Sequence, residues 1–263
     1  MPITPDGIYY DLDGPENAPV IALIHGLGLC CRLWEPHLKA LSQNYRVLNY
    51  DLYGHGKSLP PSKEATLAVY AKQLADLMEH LKIEKAAIIG FSIGGMINRR
   101  FALDYPKKTT SLAILNSPHN RGEELQAQVE ARAKTVRDQG AMSTMESALQ
   151  RWFTPQYLQE GKGVKLVREW RELVDPESYA QAAWVLANGV RELVAPSPAI
   201  AKSTLVITSE NDTGSTPKMS YDIAAEIEGS ETIIVPHLQH LGLMEQPDLF
   251  TNLILEFLER INP

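Results

Sequence analysis

An α/β class, with a mostly parallel central sheet flanked by helices, is what three observations on this chain predict. Short β-rich runs alternate with amphipathic stretches through the first half, which is the rhythm of strand–helix–strand crossovers. Several of those runs are apolar throughout rather than alternating, as strands buried on both faces must be. With 263 residues, 44% of them hydrophobic, the chain can also enclose one large core.

Taken in order, the candidate strands are Ile8 to Leu12, Val20 to His25, Tyr45 to Tyr50, Ala86 to Gly90 and Leu112 to Asn116. Helical spacing lies between them, from about Leu33 to Leu41, Ala65 to Leu81 and Ile93 to Tyr105, the last stopped by Pro106. From His119 to Ala201 the rhythm changes. No run reads as a strand there, and apolar residues recur at helical intervals, as in Val129, Ala133, Val136 and then Met145, Leu149, Trp152. Strand patterns return at Thr204 to Thr208 and Thr232 to Val235, and an amphipathic helix from Pro247 to Ile261 closes the chain. The expected organisation is one core, residues 1–118 and 202–263, interrupted by a helical cap or lid, residues 119–201. A separate second domain is the alternative, because Ser117-Pro118 and the Pro196/Pro198 pair flank the insertion.

Composition narrows the function classes. The 25 Lys and Arg against 32 Asp and Glu leave a net charge of −7, so no field gathers the phosphates of a nucleic acid. The first residues lack the basic-then-apolar pattern of an export signal, and no apolar run reaches membrane-spanning length. The two cysteines, Cys30 and Cys31, are adjacent, a poor arrangement for a disulfide and too few for a metal site. A cytoplasmic protein with no metal, no cofactor and no nucleic-acid or membrane partner is the expectation.

Chemistry is concentrated in a few short motifs. Gly90-Phe-Ser92-Ile-Gly94 follows an apolar run and leads straight into a helical stretch, the setting that a G-x-S-x-G turn requires to present a nucleophilic serine. A serine hydroxyl needs an imidazole to take its proton and a carboxylate to orient that imidazole. In this architecture the acid and then the histidine follow the serine along the chain. His240, in the loop before the last helix, is preferred to His237, which directly follows the strand-ending Pro236. Asp212, beyond the strand end, is preferred to Glu210; the alternative for Asp212 is a turn residue before Gly214 or an N-cap for the helix from Pro217, a role for which Ser215 and Thr216 are better placed. The tetrahedral intermediate needs two N–H donors, and these are assigned to Ile93, next to the serine, and to Leu27 in His25-Gly26-Leu27-Gly28. His25 reads as a brace for that loop. Asp51-Leu-Tyr-Gly54-His55-Gly56-Lys57-Ser58 lacks the spacing and the following helix of a phosphate loop and reads as a structural turn beside the site.

Together, His-Gly-Leu-Gly, Asp-x-x-Gly-His-Gly-x-Ser, Gly-x-Ser-x-Gly-Gly, a late Asp and the ending His240-x4-Glu245-x-Pro247-x2-Phe250 resemble the α/β-hydrolase fold superfamily. The cap segment Arg151-Trp-Phe-Thr-Pro155 and Gly90-Phe-Ser-Ile-Gly-Gly-Met96 are similar to 3-oxoadipate enol-lactonases and neighbouring small-molecule lactonases and esterases. The resemblance implies the same triad, Ser92, Asp212 and His240, the same donors, Leu27 and Ile93, and a small ester or lactone as substrate. Gln239, where many relatives have Gly, and Gly214-Ser-Thr-Pro217 depart from the pattern. A carbon–carbon bond hydrolase of a ring-cleavage diketone and a non-catalytic ligand-binding relative share these motifs. Because enol-lactonases act on an acid, the resemblance also suggests that Trp152 walls the pocket and that Arg121 or Arg151 reads a substrate carboxylate.

Overall fold

A computed structural model describes residues 2–261 of the chain. In chain order the core begins with β1 (Tyr10–Asp13), β2 (Val20–Ile24), α1 (Glu35–Leu41), β3 (Arg46–Tyr50), α2 (Leu67–His80), β4 (Ala86–Phe91), α3 (Ile93–Asp104) and β5 (Thr109–Leu115). A helical stretch follows: α4 (Gly122–Gln139), α5 (Met145–Trp152), α6 (Pro155–Glu160), α7 (Lys162–Glu172) and α8 (Pro176–Asn188). The chain then returns to the sheet with β6 (Ser203–Ser209), α9 (Pro217–Ala225), β7 (Glu231–Val235), α10 (Gly242–Glu245) and α11 (Pro247–Ile261).

The seven strands lie in the order β1-β3-β2-β4-β5-β6-β7; β1 is antiparallel to β3 and every other pair is parallel. Alternate residues serve opposite faces, as the pleat dictates. Ile88 and Ile114 join the cluster under α2 and α3, whereas Ile89 and Leu115 join the one under α1 and α11. Every residue of β4 is buried, which explains an apolar run without alternation.

Strand ends differ from the sequence expectation by up to three residues, β5 for instance starting at Thr109 rather than Leu112, and two of the differences have a clear cause. Ile8 and Tyr9 lie before β1, because their N–H groups bond to the hydroxyls of Thr4 and Ser58. β5 stops at Leu115, because Asn116 turns into the left-handed region at φ 46°. Between β5 and β6 the described residues hold helices and no strand. Asp175 and Thr154 cap two of those helices by accepting from the N–H groups of Ser178 and Tyr157.

Asp51, buried at the end of β3, ties the surrounding loops together. Its Oδ1 accepts from Cys31 N at 2.7 Å, its Oδ2 from Lys57 N at 2.8 Å, and its backbone oxygen from Ser58 Oγ and Gln73 Nε2. Gly56 sits at φ +54°, and a Cβ there would stand 2.2 Å from Asp51 Oδ2, so the chain can wrap the carboxylate only with glycine at this position. Asp-x-x-Gly-His-Gly-x-Ser is thus a knot that fixes the loop after β2. Asp51→Ala leaves two N–H groups without their acceptor and is expected to lower unfolding free energy by about 2–4 kcal/mol, read from urea titration. A change below about 1 kcal/mol would contradict this role.

Candidate active site

The turn from β4 to α3 has no space for side chains at its flanks. A Cβ on Gly90 would stand 2.1 Å from Gly94 O, and one on Gly94 would stand 2.5 Å from Ile24 O. The compression holds Ser92 at φ 58°, ψ −116°, a strained position for a residue with a Cβ. Its N–H is secured to Leu115 O at 2.8 Å.

Ser92 Oγ lies 3.1 Å from His240 Nε2, and His240 Nδ1 lies 2.6 Å from Asp212 Oδ2. The carboxylate can only accept, so Nδ1 carries the proton and Nε2 is left to accept from the serine hydroxyl. Phe91 and Trp152 flank the imidazole, with ring centroids 5.0 and 6.1 Å away. Asp212 divides its oxygens. Oδ1 accepts from the N–H groups of Gly214 and Ser215, both at 2.9 Å, while Oδ2 accepts from His240 and from Asn116 Nδ2 at 2.9 Å. Burial pushes its pKa up, but His240, Asn116 and the Ser215 amide outweigh it and hold the carboxyl below the ordinary range. The turn role and the histidine-orienting role read as alternatives in the sequence are filled by one residue, and Thr216 caps α9 instead.

The two competing candidates meet each other away from this relay. His237, at φ 64° and exposed, gives its N–H to Glu210 Oε2 at 2.9 Å. The N–H groups of Leu27 and Ile93 carry no hydrogen bond to any described residue, which leaves both open to a ligand. Beneath the Leu27 loop, His25 donates from Nδ1 to Gly26 O at 2.8 Å and accepts from Leu52 N at 3.0 Å. Only a neutral ring does both, and burial lowers its pKa to about 4. His55 packs 5.4 Å from it, donates to Tyr53 O, and is lowered by burial to about 3. Cys30 and Cys31 are buried free thiols; burial raises both, Cys30 to about 12, which keeps them from acting as nucleophiles.

Ser92 and His240 open into a pocket of about 940 Å³, counted out to its mouth and roofed by the helices between β5 and β6. Trp152 is on its wall, and so are both arginines that the sequence brings forward. Arg121 has its terminal nitrogens committed to Leu186 O, Ala187 O and Gln126, where it closes the C-terminal end of α8. Arg151 is half-buried and bonds only through Nε, to Ser147 O at 3.2 Å. Two lining or supporting residues escaped the sequence reading. Arg171 is 2% exposed and lies under the rings of Trp152 and Tyr179, at 4.7 and 5.3 Å. Asn116 binds Asp212, and its only sequence signal is an Asn, tolerant of positive φ, at the end of a strand.

Sheet order, the turn at Ser92 and the Ser–His–Asp relay define a class, and comparison with known families agrees with it. The α/β hydrolase fold family matches residues 19–247, and the chain belongs to it. A 3-oxoadipate enol-lactonase of Acinetobacter baylyi is 27% identical, covering 96% of this chain and 93% of its own. An (E)-2-((N-methylformamido)methylene)succinate hydrolase of the same organism is 26% identical, covering 93% of this chain and 91% of its own. Among solved structures, an enol-lactonase from Burkholderia xenovorans superposes with a TM-score of 0.88 at 29% identity, covering 96% of both chains. No helix among the described residues is long and apolar enough to cross a membrane.

The buried neutral histidines give stability a definite pH dependence. His25, His37 and His55 are lowered by burial to about 4, 4 and 3, whereas each titrates near 6.5 when unfolded. Their contribution is therefore complete above pH 6.5 and is lost as pH falls toward 4, because only the unfolded chain takes up the protons. Each such group adds a slope of about 1.4 kcal/mol per pH unit within that window. Urea midpoints at pH 7, 5.5 and 4.5 are expected to fall less steeply for His55→Gln than for the wild type. Equal slopes would mean that His55 protonates in the folded protein.

Proposed function

We propose that the chain is a serine hydrolase of small carboxylic esters or lactones that works through an acyl-enzyme on Ser92, with residues 119–201 as the cap over its pocket. The observation that carries this reading is the continuous hydrogen-bonded relay from Ser92 through His240 to Asp212 at the floor of a closed-over pocket. Ser92 Oγ attacks the substrate carbonyl while His240 Nε2 takes its proton. The resulting oxyanion is received by the N–H groups of Leu27 and Ile93. The C–O bond then breaks, His240 returns the proton to the leaving alkoxide, and a water activated by the same imidazole cleaves the acyl-enzyme. Asp212 stays ionised throughout and stabilises the imidazolium. Two features support an acid-bearing substrate: guanidinium groups line the roof, and both named relatives are called after carboxylic acids, 3-oxoadipate and a succinate.

A fluorophosphonate is expected to leave one adduct by intact-protein mass spectrometry, absent from Ser92→Ala. Hydrolysis of p-nitrophenyl butyrate should vanish with it. Asp212→Asn should lower kcat by roughly 10⁴, and Glu210→Gln far less; the opposite ranking would overturn the assignment of the acid. Lactone turnover yields a ring-opened acid, whereas two carbon fragments would make the protein a carbon–carbon bond hydrolase.

A further inference from the structure

The pocket walls carry charge of one sign. Four guanidinium groups line it, from Arg121, Arg132, Arg151 and Arg171, against one carboxylate, Asp212, which is already shared between His240, Asn116 and two backbone N–H groups. Burying a cation is costly unless an anion or a full set of acceptors accompanies it. Arg121 has acceptors for both terminal nitrogens, though none for its buried Nε. Arg171 has neither: its Nε and Nη1 are buried without any hydrogen-bond partner, and the aromatic rings of Trp152 and Tyr179 supply the rest of its surroundings. Arg132, half-buried on α4, forms no hydrogen bond or ion pair with a described residue.

These two unpaired cations stand at different places. Arg171, on α7, packs against the Leu27 loop, since a Cβ built on Gly28 would come within 3.0 Å of its Nε. Arg132 stands on another helix, next to the Ala133 and Val136 side of the pocket. Burial lowers the pKa of each, and the cations also bear on one another. Arg132 depresses Arg151 and Arg121, and Arg151 depresses Arg171, so the guanidinium groups repel one another across the pocket. A single carboxylate grips one guanidinium through two parallel hydrogen bonds, so two unpaired guanidinium groups on separate helices call for two acids.

Resting on the reading of Ser92 as the nucleophile, we infer that this pocket takes a substrate with two acid groups, one held by Arg171 beside the Leu27 loop and the other by Arg132 beneath α4. The scissile carbonyl then lies at Ser92, and the short apolar spine of the acyl part lies against Trp152, Ala148 and Val136. The cations neutralise both acids and reject neutral acyl chains, because a neutral occupant would desolvate the guanidinium groups without pairing them.

The test uses Ser92→Ala protein, which cannot turn over, titrated by calorimetry with butyrate, glutarate and 1-butanol. Glutarate is expected to bind at least tenfold tighter than butyrate, with 1-butanol weaker than either, and the glutarate advantage should shrink as salt rises. Arg132→Met and Arg171→Met should each bring glutarate down toward the butyrate level, and Arg171→Lys should restore it only in part, since an ammonium lacks the planar fork. Equal affinity for butyrate and glutarate would overturn the two-acid claim without any arginine variant having to fold. Failure of both acids to bind would overturn it too. Fluorophosphonate labelling of the wild type separates the two levels of inference. Labelled Ser92 without glutarate preference removes only the two-acid claim, and glutarate preference without labelling removes the hydrolase reading while leaving a diacid-binding pocket.

Discussion

One close approach, between β4, α3 and the end of β2, fixes the geometry of the candidate site. Because Gly94 touches the carbonyl of Ile24 and Gly90 touches Gly94, the chain can pass from strand to helix within one residue. That residue is Ser92, forced to positive φ at the carboxyl end of the sheet. The same turn starts α3 immediately, so the N–H of Ile93 belongs to the first turn of a helix, where no intrahelical acceptor exists. Strain, a hydroxyl facing the pocket and an open donor thus share one steric cause. A larger residue at either glycine would separate β4 from α3 and remove all three.

The other groups reach this point from the same edge of the sheet. Leu27, Asn116, Asp212 and His240 follow β2, β5, β6 and β7, where loops of a parallel sheet gather. Each is held by backbone bonds rather than by packing alone. His25 spans from the Gly26 carbonyl to the Leu52 N–H, Asp51 secures the same loop further on at Cys31, and Asp212 is clamped by its own turn. The helical stretch between β5 and β6 is anchored to the histidine loop in the same manner. Leu241 N bonds to Trp152 O at 2.8 Å, both oxygens of Glu245 accept from Thr154, and Gln239 reaches Gln150 O. Gln239, a departure from the pattern in the sequence, therefore adds a link between the histidine loop and α5 that glycine could not make.

Legibility in the sequence followed the range of the interactions. The strands, α3 and the Ser92 turn rest on local steric rules that leave a periodic or glycine signature, and the seven strands were read to within a few residues. Where a side chain replaced a ladder partner, as Thr4 and Ser58 do for Ile8 and Tyr9, the strand edge shifted. Asp212 and His240 were legible because chain order limits the choice of partners for Ser92. Asn116 was not, since its bond to Asp212 spans 96 positions and an isolated Asn has many uses. Arg171 was hidden for a further reason. On a helix with charged neighbours on both sides, Arg168-Glu169-Trp170-Arg171-Glu172 reads as a solvated face, and only the packing of Trp152 and Tyr179 over it turns it inward.

Chemistry and recognition are in this way held by different kinds of structure. The groups proposed to react sit on turns at strand ends, where displacement by a fraction of an ångström would break hydrogen bonds that the sheet itself fixes. The guanidinium groups sit on or beside α4, α5 and α7, in the helical stretch whose Met145, Leu149, Val167 and Trp170 pack into the same buried cluster as Ile89 and Leu115. Such groups also bear an electrostatic cost in the empty protein that the relay does not, because Asp212 is fully partnered whereas Arg171 is not. An unpaired buried cation is a poor way to stabilise a cap, since an apolar side chain of similar shape would do so better. The aromatic rings over Arg171 reduce that cost without supplying an acceptor, and so they keep the guanidinium in place with its hydrogen-bonding edge unspent. A cap built for stability alone would have no use for this arrangement, whereas one that selects anions by completing their coordination requires it.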